Sequence, residues 1–359
     1  MMMAATAIMK IPCKIVELSL DISLNCGQSF RWKKSLNGEW MGVLGGYVWL
    51  MTQDESCINY RVVKPCAVIK NELPLIPATK KKELKECIDY EQILKDYFQL
   101  DIDLESLYRQ WSLADANFNQ VAKNYVGVRM LRQDPVENLF AFICSSNNNI
   151  QRITGMVEKL CENYGNHLLT YENVAYYSFP SIESLANDKV ESKLRILGFG
   201  YRAKFIQQSA AQIVKNGGRD WLMNLRKVSY PEAKTALMTL PGIGAKVADC
   251  ICLMSLNHSV AIPVDTHVFQ IAKASYVPHL SQTKTVTDKV YKEISAHFQC
   301  LFGAYAGWAH SVLFSADLRH LKADLSQQQP KKRNRDKSVT KEKPKLDEIC
   351  RPLQRKKKK

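Results

Sequence analysis

No stretch of this sequence supplies the roughly 20 consecutive apolar residues that a membrane-spanning helix needs. The 359 residues also carry no repeat at solenoid spacing. An integral membrane helix and a solenoid are therefore both set aside. The Met1 to Met9 segment lacks the apolar core of a secretory signal and the Arg-rich pattern of a transit peptide, so a soluble intracellular protein is expected. Eleven cysteines are present, but at irregular spacing. No disulfide framework is expected from them. Only Cys300 and Cys350 follow Asp265, too few for a four-cysteine iron–sulfur site in that region. Cys250 and Cys252, two positions apart in a helical stretch, point to different faces rather than at one metal. No metal cluster is expected. Acidic residues are outnumbered, 35 against 50 basic ones, which leaves a net charge of +15. A polyanion is the natural partner for such a chain. The imbalance is local, however: Lys322 to Lys359 holds 15 basic and 5 acidic residues, so the body of the protein carries only about +5. Any argument for nucleic acid must come from particular residues.

The apolar fraction of 46% suffices for a buried core. Between Lys14 and Val63 the pattern predicts short strands. Lys14 to Leu20 alternates, and Trp40 to Leu44 and Tyr47 to Thr52 flank a Gly45-Gly46 turn. From about Tyr90 to Leu318 the texture is helical, with Pro135 suited to the first turn of a helix over Pro135 to Cys144. Apolar residues at helical spacing predict further helices over Ile150 to Tyr164, Arg202 to Val214 and Val286 to Phe298. The fold class is therefore α+β: an N-terminal antiparallel sheet unit with helices over 9–127, a helical unit over 128–321, and a basic tail over 322–359. The tail's composition predicts disorder, and its two basic clusters suggest nuclear import or a DNA tether.

The segment richest in chemistry is Leu240-Pro241-Gly242-Ile243-Gly244-Ala245-Lys246, which implies a helix, a glycine-rich hairpin and a second helix. Gly242 and Gly244 permit backbone conformations closed to other residues, and amides beside a helix N-terminus can cradle a phosphate. An ordinary helix-to-helix turn would use the same residues. Lys246 opens a strongly apolar helix, where desolvation and the positive helix end should favour a neutral, nucleophilic amine. A salt-bridged structural lysine is the plainer alternative. Asp265, nineteen residues on, is placed to cap the next helix. An ionised carboxylate there would also stabilise an oxocarbenium-like sugar as a glycosidic bond breaks. His267 sits at the same helix start, where either a phosphate or simple packing would account for it.

The hairpin with Lys246 and Asp265 resembles the helix–hairpin–helix DNA glycosylases. The flanking segments Cys26-Gly27-Gln28-Ser29-Phe30-Arg31-Trp32, Ser145-Ser146-Asn147-Asn148-Asn149, Gly198-Phe199-Gly200-Tyr201-Arg202 and Tyr305-Ala306-Gly307-Trp308-Ala309 resemble the eukaryotic 8-oxoguanine DNA glycosylase family. The resemblance runs from about Ile11 to Leu318. It implies a bifunctional base-excision glycosylase and lyase acting on 8-oxoguanine, and on formamidopyrimidine-guanine, opposite cytosine in duplex DNA. A monomer in the nucleus, with a mitochondrial fraction left open, is the corresponding expectation.

The resemblance also implies residue roles. At the Gly27 position a backbone carbonyl meets the lesion's N7–H, a donor that undamaged guanine lacks. The Asn147, Arg152 and Arg202 positions read the cytosine, and Tyr201 wedges into the opened stack. Phe314 stacks on the flipped base, with Cys250 and Met254 across the pocket. His310 departs from the family's usual glutamine, although a neutral imidazole also offers one donor and one acceptor. Gly242, Gly244 and His267 would hold phosphate. No organic cofactor is implied, and a structural cation at the hairpin phosphate rests on family precedent without a local ligand cluster. Two rivals remain open at this point: a glycosylase of the same fold for alkylated bases or mispaired adenine, and a noncatalytic DNA-binding scaffold.

Overall fold

The computed structural model describes residues 6–63, 88–318 and 321. The expected disordered tail and its import signal lie outside these residues. Five strands form one antiparallel sheet: β1 (Met9–Pro12), β2 (Trp32–Lys34), β3 (Trp40–Leu44), β4 (Tyr47–Gln53) and β5 (Cys57–Val63), in the order β1-β5-β4-β3-β2. The Gly45-Gly46 turn joins β3 to β4 as the sequence predicts, both glycines having positive φ.

The alternating stretch Lys14 to Leu20 is not a strand. The chain turns there, and Ser19 caps a short helix over Leu20–Ser23. The turn is bound from several sides. Gln53 Oε1 accepts from the Leu20 amide at 2.9 Å, and the Ser19 amide donates to the Gly127 carbonyl at 2.8 Å. These long-range bonds outweigh a local alternation over a few residues. The outer strand is instead Met9–Pro12, paired with β5.

The helices Pro135–Ile143, Ile150–Tyr164, Arg202–Lys215 and Asp288–Phe302 form where periodicity predicts them. Their starts are set by capping side chains, Asp134, Asn149 and Thr287 for three of the four. One departure interrupts the helical region: His167–Tyr171 and Val174–Tyr177 pair as a hairpin through the left-handed residues Glu172 and Asn173. Its reason lies across the molecule. Leu168 and Leu169 pack on Val48, Leu50 and Val63, on the sheet face opposite the Trp49 and Met51 core. The sheet is thus covered on both sides, and β4 reads as an almost unbroken apolar run, as strands buried on both faces do.

The two units meet at Arg129, 1% exposed, with its guanidinium over the ring of Trp308 at 5.9 Å. The glycine-rich hairpin forms as expected, between helices Tyr230–Met238 and Ala245–Ser255.

Candidate active site

Gly242 sits at φ +81, and a Cβ there would fall 2.6–2.7 Å from atoms of Phe205. Only glycine fits. Gly244 differs from expectation: its backbone is extended, at φ −93 and ψ −178, a conformation open to any residue. Nothing lies within 4 Å of where its Cβ would stand, so what it provides is open space before the helix N-terminus. Lys246 is the second residue of that helix and is half-buried. Its Nζ lies 5.1 Å from the centroid of Phe142, a ring the sequence reading overlooked because it belongs to an ordinary apolar helix. The ring covers the amine on that side and keeps water from it.

One turn further, Cys250 is 2% exposed. Burial pushes its thiol up to about 11, with the nearby Lys246 charge opposing and Asp265 reinforcing. Asp265 caps the Thr266–Ile271 helix, its Oδ1 accepting from the Val268 amide at 3.0 Å. His310 lies 6.1 Å from Phe298 and stacks on Phe314 at 6.4 Å. It is 6% exposed, and neither ring nitrogen completes a hydrogen bond. Burial lowers its imidazole to about 4, with the Asp265 charge opposing. Lys246, Cys250, Asp265 and His310 therefore share one electrostatic neighbourhood, with the Phe314 ring against His310 at its edge.

Gly27, at φ +82, lies in a turn rather than a strand bulge. Its neighbour Gln28 explains how the turn is held. The Gln28 amide nitrogen donates to the Arg129 carbonyl at 3.0 Å, its oxygen accepts from Leu131 at 3.0 Å, and its carbonyl accepts from Gln133 at 2.9 Å. The Gln133 amide in turn donates to the Met254 carbonyl at 2.9 Å. The Gly27 turn is thereby tied to the Lys246 helix.

Asn147, Tyr201 and Arg202 come together through the Ser146–Asn147 turn. The Tyr201 hydroxyl donates to the Ser146 carbonyl at 3.1 Å, and Arg202 Nη2 donates to the carbonyls of Ser146 and Asn147. Arg202 is not the exposed charge that its type suggests. It is 4% exposed, its guanidinium lies 4.7 Å from the Tyr201 ring, and its Nε is buried without a partner. Tyr201 itself is exposed, as is Arg152 at the start of its helix. The Ile150 side chain, at 3.1 Å from where a Gly27 Cβ would be, links this loop to the Gly27 turn. His267 is exposed, and its Nδ1 bonds Asp317 at 2.8 Å. Among the described residues, no group of three or more His, Cys, Asp or Glu side chains is placed to hold a metal ion. Asp249, passed over within the apolar run Val247 to Leu253, proves to be fully buried; a carboxylate inside such a run was the signal.

Residues 140–296 match the family model of HhH-GPD superfamily base excision DNA repair proteins, and residues 10–139 match the N-terminal domain model of 8-oxoguanine DNA glycosylase. The chain thus belongs to the helix–hairpin–helix base excision repair proteins. Within them it is a member of the 8-oxoguanine DNA glycosylase family. It is 39% identical over 306 residues to the N-glycosylase/DNA lyase OGG1 of Arabidopsis thaliana, covering 84% of this chain and 78% of that protein. With the N-glycosylase/DNA lyase of Saccharomyces cerevisiae it shares 37% identity over 329 residues, covering 84% of each. A solved Clostridium acetobutylicum 8-oxoguanine glycosylase/lyase, bound to duplex DNA with cytosine opposite 8-oxoguanine, superimposes with a TM-score of 0.69 at 27% identity, over 83% of this chain and 91% of that one.

Proposed function

We propose that this N-glycosylase/DNA lyase excises 8-oxoguanine, and formamidopyrimidine-guanine, opposite cytosine, with Lys246 as nucleophile and Asp265 as electrostatic partner. The observation that carries the reading is that Lys246, after the glycine hairpin and over Phe142, and the helix-capping Asp265 both lie near enough to Cys250 for their charges to act on it. The neutral amine attacks C1′, the C1′–N9 bond breaks, and the base leaves with the bonding electron pair and a proton. The C1′–O4′ bond then breaks, O4′ taking a proton from water, and the nitrogen lone pair closes an iminium to C1′. The C2′ proton is acidified by that iminium, so β-elimination releases the 3′ phosphate. The Asp265 carboxylate, held by its helix cap, offsets the positive charge that develops on the sugar.

The lesion lies against Phe314, with the Gly27 carbonyl accepting from N7–H and Cys250 and Met254 on the opposite wall. His310 serves in place of a glutamine; its two buried, unpartnered nitrogens support a ligand-facing role. Tyr201 fills the stack, and Asn147 and Arg152 read the cytosine. Arg202 joins them only when the Ser146–Asn147 turn releases its guanidinium. Gly242, Gly244 and His267 hold phosphate. The enzyme acts as a monomer in the nucleus without an organic cofactor, and its units divide at 127/128, near the join of the two family models at 139/140.

Borohydride trapping on a duplex with 8-oxoguanine opposite cytosine tests the mechanism. A covalent adduct is expected for the parent and none for Lys246→Gln. No parental adduct, or an undiminished one in the variant, sinks it.

A further inference from the structure

The carboxylate of Asp249 accepts three hydrogen bonds from two other helices. Tyr230 donates to Oδ1 at 2.7 Å, while Lys234 at 2.7 Å and Tyr291 at 2.5 Å donate to Oδ2. Tyr230 and Lys234 belong to the first helix of the hairpin, Asp249 to the Lys246 helix, and Tyr291 to the Asp288–Phe302 helix. The Tyr291 oxygen also accepts from the Val264 amide at 3.3 Å and lies 3.2 Å from the Ile262 carbonyl. Val264 directly precedes Asp265. One carboxylate and one hydroxyl thus connect the element that carries the nucleophile to the segment that carries its counter-charge.

A fully buried carboxylate is an expensive way to hold helices together. Removing it from water costs several kcal/mol, and apolar residues of like volume would pack as well or better. What apolar packing lacks is direction. Three hydrogen bonds fix rotation and translation of the helix to within the tolerance of bond geometry. Lys234 balances the charge, with its Nζ 4.9 Å from the Tyr291 ring and 5.6 Å from the Tyr230 ring. We propose that Asp249 and Tyr291, with Lys234 as counter-ion, are positioning residues that set the distance and angle between Lys246 and Asp265. Neither reaches the reacting atoms; each acts through the backbone that it holds. The inference rests on the reading of Lys246 and Asp265 as the reacting pair.

Tyr291→Phe in the full chain is the decisive variant, because it removes one hydroxyl and leaves the ring. Single-turnover excision of 8-oxoguanine should fall about tenfold, since displacements of an ångström cost rates of that order and more. Affinity for the lesion duplex should stay within about twofold, because no DNA contact is removed. Lys234→Met should slow excision similarly, and Lys234→Arg should restore it. Combining Tyr291→Phe with Asp249→Asn should slow excision no further than Asp249→Asn alone, as expected for members of one network. Rates are taken per folded molecule, with the folded fraction followed by circular dichroism. Parental excision by folded Tyr291→Phe, with only the melting temperature lowered, overturns the proposal. So does a double variant whose losses multiply. The parent's borohydride adduct reports separately on the Lys246 reading, so failure of the clamp and failure of the mechanism are distinguishable.

Discussion

His310 illustrates how burial sets the chemistry of a single side chain. Its imidazole, ordinarily near 6.5, is held at about 4 because the ring lies between Phe298 and Phe314 away from water. It is therefore neutral across pH 6 to 8, and lesion binding should show no His310-linked step in that range. Stability behaves differently. The unfolded chain takes up a proton near pH 6.5 that the folded one refuses until about pH 4, so the stability this residue supports is full above 6.5 and is lost as pH falls between the two values. Between pH 7 and pH 5 the parent should lose about 2 kcal/mol more than His310→Gln. Urea unfolding at the two pH values measures it; equal losses would show that the ring is solvated. The departure at His310 is visible in sequence, but its neutrality is not, since Phe298 comes from a different helix. The same holds for Lys246: its place after the hairpin is legible, whereas Phe142 beneath it is an unremarkable member of an apolar helix.

Elements determine how Asp265 divides its two roles. As the cap of Thr266–Ile271 it bonds the Val268 amide, and as a charge it faces Lys246's neighbourhood. Asn also caps helices, so Asp265→Asn should keep stability within about 0.5 kcal/mol while excision collapses. Asp265→Ala should lose both, the cap alone being worth about 1 kcal/mol. Thermal unfolding and single-turnover excision separate the two, and an active Asp265→Asn would remove the electrostatic role. Helix positions were readable because apolar periodicity and a first-turn proline such as Pro135 are local signals. The Lys14 to Leu20 stretch and the Leu168-Leu169 hairpin were not, because the first is held by Gln53 and Gly127 and the second by the far face of the sheet.

At the scale of the molecule, Arg129 does for the two units what Asp249 does for the site. Its guanidinium donates to the carbonyls of Glu17, Gln99 and Ile102 and to the Glu17 carboxylate, all in the N-terminal unit, while resting on Trp308 of the helical one. Arg129→Met would leave those acceptors without donors. A loss of about 3 kcal/mol or more is expected in urea unfolding; a loss under about 1 kcal/mol would show that the acceptors find other partners. The sequence by itself determined the class of fold, the order of sheet and helices, and the hairpin that presents the proposed reacting pair. Spacing, capping and glycine geometry act over a few residues, so they can be read along the chain. Tertiary structure alone decided that Arg202 is buried and tied to carbonyls, that Gly244 is extended, and that Asp249 reaches Asp265's segment through Tyr291. The first and last of these depend on groups distant in sequence, and only packing brings them within hydrogen-bond distance.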